Sequence, residues 1–215
     1  MKILVSVFNN LYTDQRVEKF CKTLHENAYQ IEVIGNNWGG TPEMKRPYPF
    51  SRISLQSKKL RFAYLEFQWK LFLVLLKKAD RNTILHANDL DALLPNYLVS
   101  KIKGIPLVWD SHEIFTEMPT VTNRWVQHVW RLLENALIRK IKYFITANDS
   151  YANWFETNYK IKRPIVIRNF PQKSESPKSF VENHPKIILY QGTINYSRGI
   201  DKMIEAMQFI ENAEF

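Results

Sequence analysis

Residues 86–113, HANDLDALLPNYLVSKIKGIPLVWDSHE, decide how the rest of the chain is read. The stretch holds the end of one apolar run, a segment of helical period closed by Gly104, and a second apolar run of strand length. Each run finishes in a polar cluster: His86, Asn88 and Asp89 at the first, and Asp110, His112 and Glu113 at the second. A strand, a crossover helix and a second strand make a parallel pair, and the carboxyl ends of parallel strands share one rim. Open sheets of this kind bind ligands along that rim. The two polar clusters are therefore predicted to feed one cleft.

The same alternation continues in both directions. KILVSVF, QIEVIG and NTILHA precede, and KYFITA and PIVIRN follow, with helical segments over residues 13–27, 60–79, 89–103, 123–139 and 149–159 between them. Apolar, β-branched runs separated by helices predict an α/β fold with a doubly wound, Rossmann-like parallel sheet covered on both faces. In the first helix Val17, Phe20, Cys21, Leu24 and Ala28 form the inward stripe, with Thr13 as the cap and Asp14 in the first turn. In the helix over 123–139, Val129, Leu132, Leu133, Ala136 and Leu137 form the stripe. Pro95 argues for a late start of the helix that follows Asp89. Residues 60–79 are apolar nearly all round, with Phe62, Leu65, Trp69, Phe72, Leu73 and Leu76 on one stripe and basic residues at both ends. The segment reads as a helix covering the sheet, and its rival reading is shallow attachment to an acidic membrane. Glu66 and Lys70 within it argue against a span.

Composition bounds the function. The 215 residues are 45% hydrophobic and 24% charged, which is enough apolar material for a sizeable core. The formal charge of +9 points to anionic partners. MKILVSVF lacks a cleavage site and reads as a first strand, so a cytoplasmic location is expected. Cys21, the only cysteine, lies on an apolar stripe and reads as a core thiol. Residues 1–170 are expected to form one domain and the proline-punctuated residues 171–185 a linker. Residues 186–215 then read as the first βα unit of a second, incomplete α/β domain, with Ile200, Met203, Ile204, Met207 and Ile210 inward. A lone strand and helix do not complete a sheet, so the chain reads as truncated. KIILYQ then pairs within the chain, pairs with another chain as a route to a homo-oligomer, or stays mobile.

HANDLDALLPNYLVSKIKGIPLVWDSHEIF is similar to the N-terminal, acceptor-facing domain of GT-B fold glycosyltransferases of family 4. DQRVEKFCKTLHENAYQIEVIG, KYFITANDSYANWF, VIRNFP and ILYQGTINYSRGIDKMIEAM follow in the order of that family's parts. The resemblance implies transfer of a sugar from a nucleotide diphosphate sugar to a glycan or lipid-linked acceptor, with retention and with no metal or other cofactor. His112 is then the catalytic candidate, Asn88, Asp89, Asp110 and Glu113 the acceptor-binding ones, and Gly192 and Arg198 the donor-binding ones. Three features depart from the family pattern. VFNNLYTD lacks the glycine pair usual after the first strand, Asn27 and Ala28 replace a usual glycine, and Thr193 stands where an arginine is common. The family's paired donor-domain glutamates fall beyond Phe215, so the chain alone is expected to be inactive.

Two rival readings use the same residues differently. A metal-dependent hydrolase would take His86, Asp89, Asp91, His112 and Glu113 as ligands, but the spacing lacks two histidines one helical turn apart. A basic nucleic-acid-binding module has the charge but neither a recognition-helix pattern nor an RNA-stacking motif, so nucleic acid is not an expected partner.

Overall fold

The alternating runs form a parallel sheet in a computed structural model of the protein, which describes residues 1–171, 185–192, 194 and 198–215. The elements in order are β1 (Lys2–Ser6), α1 (Gln15–Glu26), β2 (Gln30–Asn36), β3 (Phe50–Ile53), α2 (Leu60–Lys78) and β4 (Thr83–Asn88). They continue as α3 (Asp89–Lys103), β5 (Leu107–Ser111), α4 (Trp125–Leu137), β6 (Tyr143–Thr146), α5 (Asp149–Tyr159) and β7 (Ile165–Val166). The strand order is β3-β2-β1-β4-β5-β6-β7, all parallel. The chain winds outward from β1 to one edge and then from β4 to the other. This is the doubly wound, Rossmann-like arrangement, and the direction of winding reverses between β1 and β4.

Alternating side chains on β1 feed two cores. Leu4 joins Leu85, Ala87 and Trp109 beneath α2, α3, α4 and α5, whereas Ile3 and Val5 join Val17 and Cys21 beneath α1. Burial pushes the Cys21 thiol up to about 12, consistent with an inert core residue.

Several local expectations are corrected. Asp14, not Thr13, caps α1: its carboxylate accepts the Val17 amide at 2.9 Å. Ala28 is exposed rather than inward, because it turns the chain out of α1 at φ +62°. α3 starts at Asp89 and carries Pro95 inside it, so there is no late start. On α4 the buried residues are Gln127, Trp130, Glu134 and Leu137, while Val129 and Leu132 face outward. β3 is an additional edge strand that no apolar run announced.

α2 is the instructive case. Its buried residues are Ala63, Phe67, Leu71 and Leu75, whereas Phe62, Leu65, Trp69 and Leu73 of the apolar stripe read from the sequence are exposed. Both faces of this helix are apolar, so the period identifies a helix without choosing the face that meets the sheet.

Residues 1–169 and 170–215 separate into two compact units. In the second, β8 (Lys186–Ile187) pairs in parallel with β9 (Ala213–Glu214) around α6 (Ile200–Ala206). The strand in KIILYQ thus has an intrachain partner. The expected inward residues of α6 are not buried: Met203, Ile204 and Ile210 are exposed, since a two-stranded sheet offers little surface to cover them. Most of the expected linker, residues 172–184, lies outside the described residues.

Candidate functional site

The rim at the β1/β4 reversal is built on buried polar contacts. Asn88, the last residue of β4, donates its side-chain amide to the Ser6 carbonyl at 3.2 Å, tying the two strands together where the winding reverses. Beneath it, the Asn96 amide donates to Ser6 Oγ at 2.6 Å and to the Ala92 carbonyl at 2.8 Å. In β5, Asp110 stands opposite Asn88 in register. Its carboxylate accepts two hydrogen bonds from Arg16 of α1, at 3.1 and 2.7 Å, and the same guanidinium donates to the Ile167 carbonyl at 2.8 Å. Both side chains are at least nine-tenths buried. A bidentate pair of this kind fixes α1, β5 and the end of the sheet in one geometry.

Above this buried layer the rim opens. Asp89 takes a left-handed backbone conformation, φ +58°, which turns its carboxylate from α3 toward β5. There Oδ2 lies 3.1 Å from His112 Nε2, and Oδ1 accepts the His112 amide at 3.4 Å. The chain beyond β5 is held by Ser111 Oγ, which donates to the Glu113 carbonyl at 2.8 Å, and by Thr146 Oγ1, which donates to the Ser111 carbonyl at 2.8 Å. Glu113 is exposed at the outer lip. Burial, reinforced by the negative charges of Asp110, Glu113 and Asp14, holds the Asp89 carboxyl well above the usual carboxylate range. Burial and then Asp89 do the same to Asp91. A carboxyl within hydrogen-bonding distance of an imidazole at a strand-end rim is an arrangement suited to orienting a hydroxyl.

The five predicted residues of the first unit therefore meet at two neighbouring strand ends, in two layers. Asn88 and Asp110 are buried and already engaged. Asp89, His112 and Glu113 face the opening. His86 lies lower, on the α1 face, packed against the Phe20 ring at 4.6 Å with Nε2 4.0 Å from Asp110. Burial lowers its pKa to about 4, so the ring is neutral near pH 7. Among the described residues, no group of three or more His, Cys, Asp or Glu side chains is placed to hold a metal ion. In the second unit, Gly192 follows β8 in a bend and Arg198 is exposed ahead of α6, while Thr193 and residues 195–197 lie outside the described residues.

Sequence reasoning missed Arg16, Asn9 and Asn96. Asn9 donates to Asp14 at 2.7 Å and so braces the loop after β1. The signal for Arg16 was present: it sits beside Val17 and one turn before Phe20, a cation on an apolar stripe.

The profile of Glycosyltransferase Family 4 matches residues 14–170. The chain belongs to this family. Its sheet is that of GT-B glycosyltransferases, as solved structures of low identity show. The rice protein Os79 in complex with UDP superposes with TM-score 0.58 at 12% identity, over 91% of this chain and 60% of its own. MurG of Acinetobacter baumannii gives 0.57 at 12%, over 99% and 59%. A sucrose-phosphate synthase of Thermosynechococcus elongatus gives 0.53 at 10%, over 78% and 87%. The chain spans 42% of a glycosyltransferase from Rickettsia africae and 59% of MurG. A comparison with curated proteins finds no match.

Proposed function

We propose that this chain supplies the acceptor side, and the opening part of the donor side, of an enzyme that transfers a hexose from a nucleotide diphosphate sugar to a glycan or lipid-linked acceptor. The observation that carries the proposal is the Asp89–His112 pair at the β1/β4 reversal, in a member of a glycosyltransferase family. Glu113 stands beside the pair to bind acceptor hydroxyls, and Asn88 and Asp110 hold the strand ends that place it. Arg198, between Gly192 and Gly199, meets the leaving diphosphate with a guanidinium. The family resemblance supports retention at the anomeric carbon and independence of a metal as parts of this reading. UDP in the rice protein, and the UDP-L-rhamnose of an Arabidopsis thaliana neighbour, support a nucleotide diphosphate sugar as the donor class.

Transfer needs donor and acceptor aligned at close range with water excluded, and residues 186–215 form a single βα unit with a short second strand. The 215-residue chain alone is accordingly expected to bind nucleotide sugars weakly and to turn none over. Calorimetry with a panel of nucleotide sugars checks this, and tight binding by the isolated chain would move the donor site into the first unit. In a protein that joins this chain to a complete donor domain, Arg198→Ala is expected to lower turnover by about two orders of magnitude. An unchanged rate would remove Arg198 from the site.

A further inference from the structure

α2 presents an apolar face to solvent. Its inner side chains are in the core, yet its outward side chains are also apolar: Leu65 and Trp69 are 66% and 63% exposed, with Phe62 and Leu73 beside them. α4, which touches α2 through an edge contact of Tyr64 with Trp130 at 5.4 Å, adds Trp125 and Leu132 to the outside, at 67% and 73% exposure. Large aromatic and aliphatic side chains left in water together mark a contact surface.

Charge selects what covers it. Glu66 is the only acidic residue of α2, and it is turned away from the outer face into the preceding loop. There it accepts the amides of Gln56 and Ser57, the Ser57 hydroxyl at 2.6 Å and Lys70 at 2.7 Å, and these bonds lower its pKa to about 2. Lys58, Lys59 and Arg61 stand exposed at the start of the helix and Lys77 at its end, with no ion pair among the described residues. An apolar stripe with Trp and Phe at its centre, bordered by cations and relieved of its one carboxylate, matches an anionic lipid surface. No helix among the described residues is long and apolar enough to cross a membrane, so contact lies in the interfacial plane.

We infer that the outer face of α2, extended by α4, seats the protein on an anionic bilayer. The surface borders the rim: Tyr64, in the second turn of α2, packs on Phe8 of the loop after β1 at 4.3 Å and feels the charges of Asp91 and Asp89. A bilayer under α2 therefore brings lipid headgroups toward the opening where Asp89 and His112 stand. The inference does not depend on sugar transfer.

Sedimentation of the 215-residue chain with vesicles tests it. The chain is expected to bind vesicles of equal parts phosphatidylglycerol and phosphatidylcholine, and to bind phosphatidylcholine alone far less. Leu65→Glu with Trp69→Glu should weaken binding by roughly tenfold or more, and so should reversal of Lys58, Lys59 and Arg61 to glutamate. Because all five side chains point outward, the melting temperature should hold, and a melt of each variant checks that it does. Absence of binding by the unaltered chain, or unchanged binding by folded variants, overturns the inference. So does a dimer without vesicle affinity that the Leu65/Trp69 variant converts to monomer, which would assign the face to a second copy of the chain.

Discussion

Arg16 and Asp110 lie far apart in the sequence, yet their pairing sets the geometry of the rim. Breaking a buried pair strands the remaining charge, so Arg16→Ala should destabilise the first unit by about 3–5 kcal/mol. Arg16→Met combined with Asp110→Leu, which removes both charges and keeps volume, should cost much less, and denaturant titration of the two variants separates the cases. A similar cost for both would show that the pair contributes packing rather than charge. His86 makes a second residue-scale prediction. Its folded pKa, about 4, lies below the unfolded 6.5, so the unfolded chain binds the extra proton between those values and stability is lost as pH falls through that window. The shift corresponds to roughly 3 kcal/mol. Glu134 acts with the opposite sign: raised by burial to about 6, it favours the folded state at low pH and loses that contribution as pH rises through 6. The two oppose each other, so the diagnostic is the difference between wild type and His86→Gln. Their stabilities should diverge progressively between pH 4 and 6.5, and parallel curves would place His86 in a more solvated site than the structure shows.

At the scale of the elements, α2 shows where pattern reading stops. Its period predicts a helix, and the helix is there, but both faces satisfy the apolar template, and only the neighbouring strands and α3 decide which is buried. Phe67→Ala should therefore cost about 3–5 kcal/mol and Trp69→Ala less than about 0.5 kcal/mol. The reverse order would place the face that carries Trp69 against the sheet. The start of α1 was misread for a different reason: Thr13 and Asp14 are both good caps, and the bond from Asn9 to Asp14 settles the choice. At its other end, Ala28 bears a left-handed conformation that glycine adopts without strain. Ala28→Gly should raise stability by up to about 1 kcal/mol, read as an increase in melting temperature. A decrease would mean that the entropy lost by a freer unfolded chain outweighs the relief of strain.

For the whole molecule, the strand-helix alternation and the polar endings of NTILHA and IPLVWD were enough to predict a parallel sheet whose polar strand ends share one rim, because local pattern determines both. β3 escaped because a four-residue edge strand that is only half-buried needs no continuous apolar run. The division of the rim into an occupied layer and an open one was not legible either. It depends on which carboxylate finds Arg16, and that is a matter of tertiary placement. The central claim is that the open layer, Asp89 with His112, is the acceptor side of a sugar-transfer site. Steady-state transfer kinetics of His112→Ala in a protein that joins this chain to a complete donor domain, measured together with nucleotide affinity by calorimetry, test it most directly. Turnover should fall by about two orders of magnitude with nucleotide affinity kept within about twofold. An unchanged rate, or a loss of nucleotide affinity equal to the loss of rate, would contradict it.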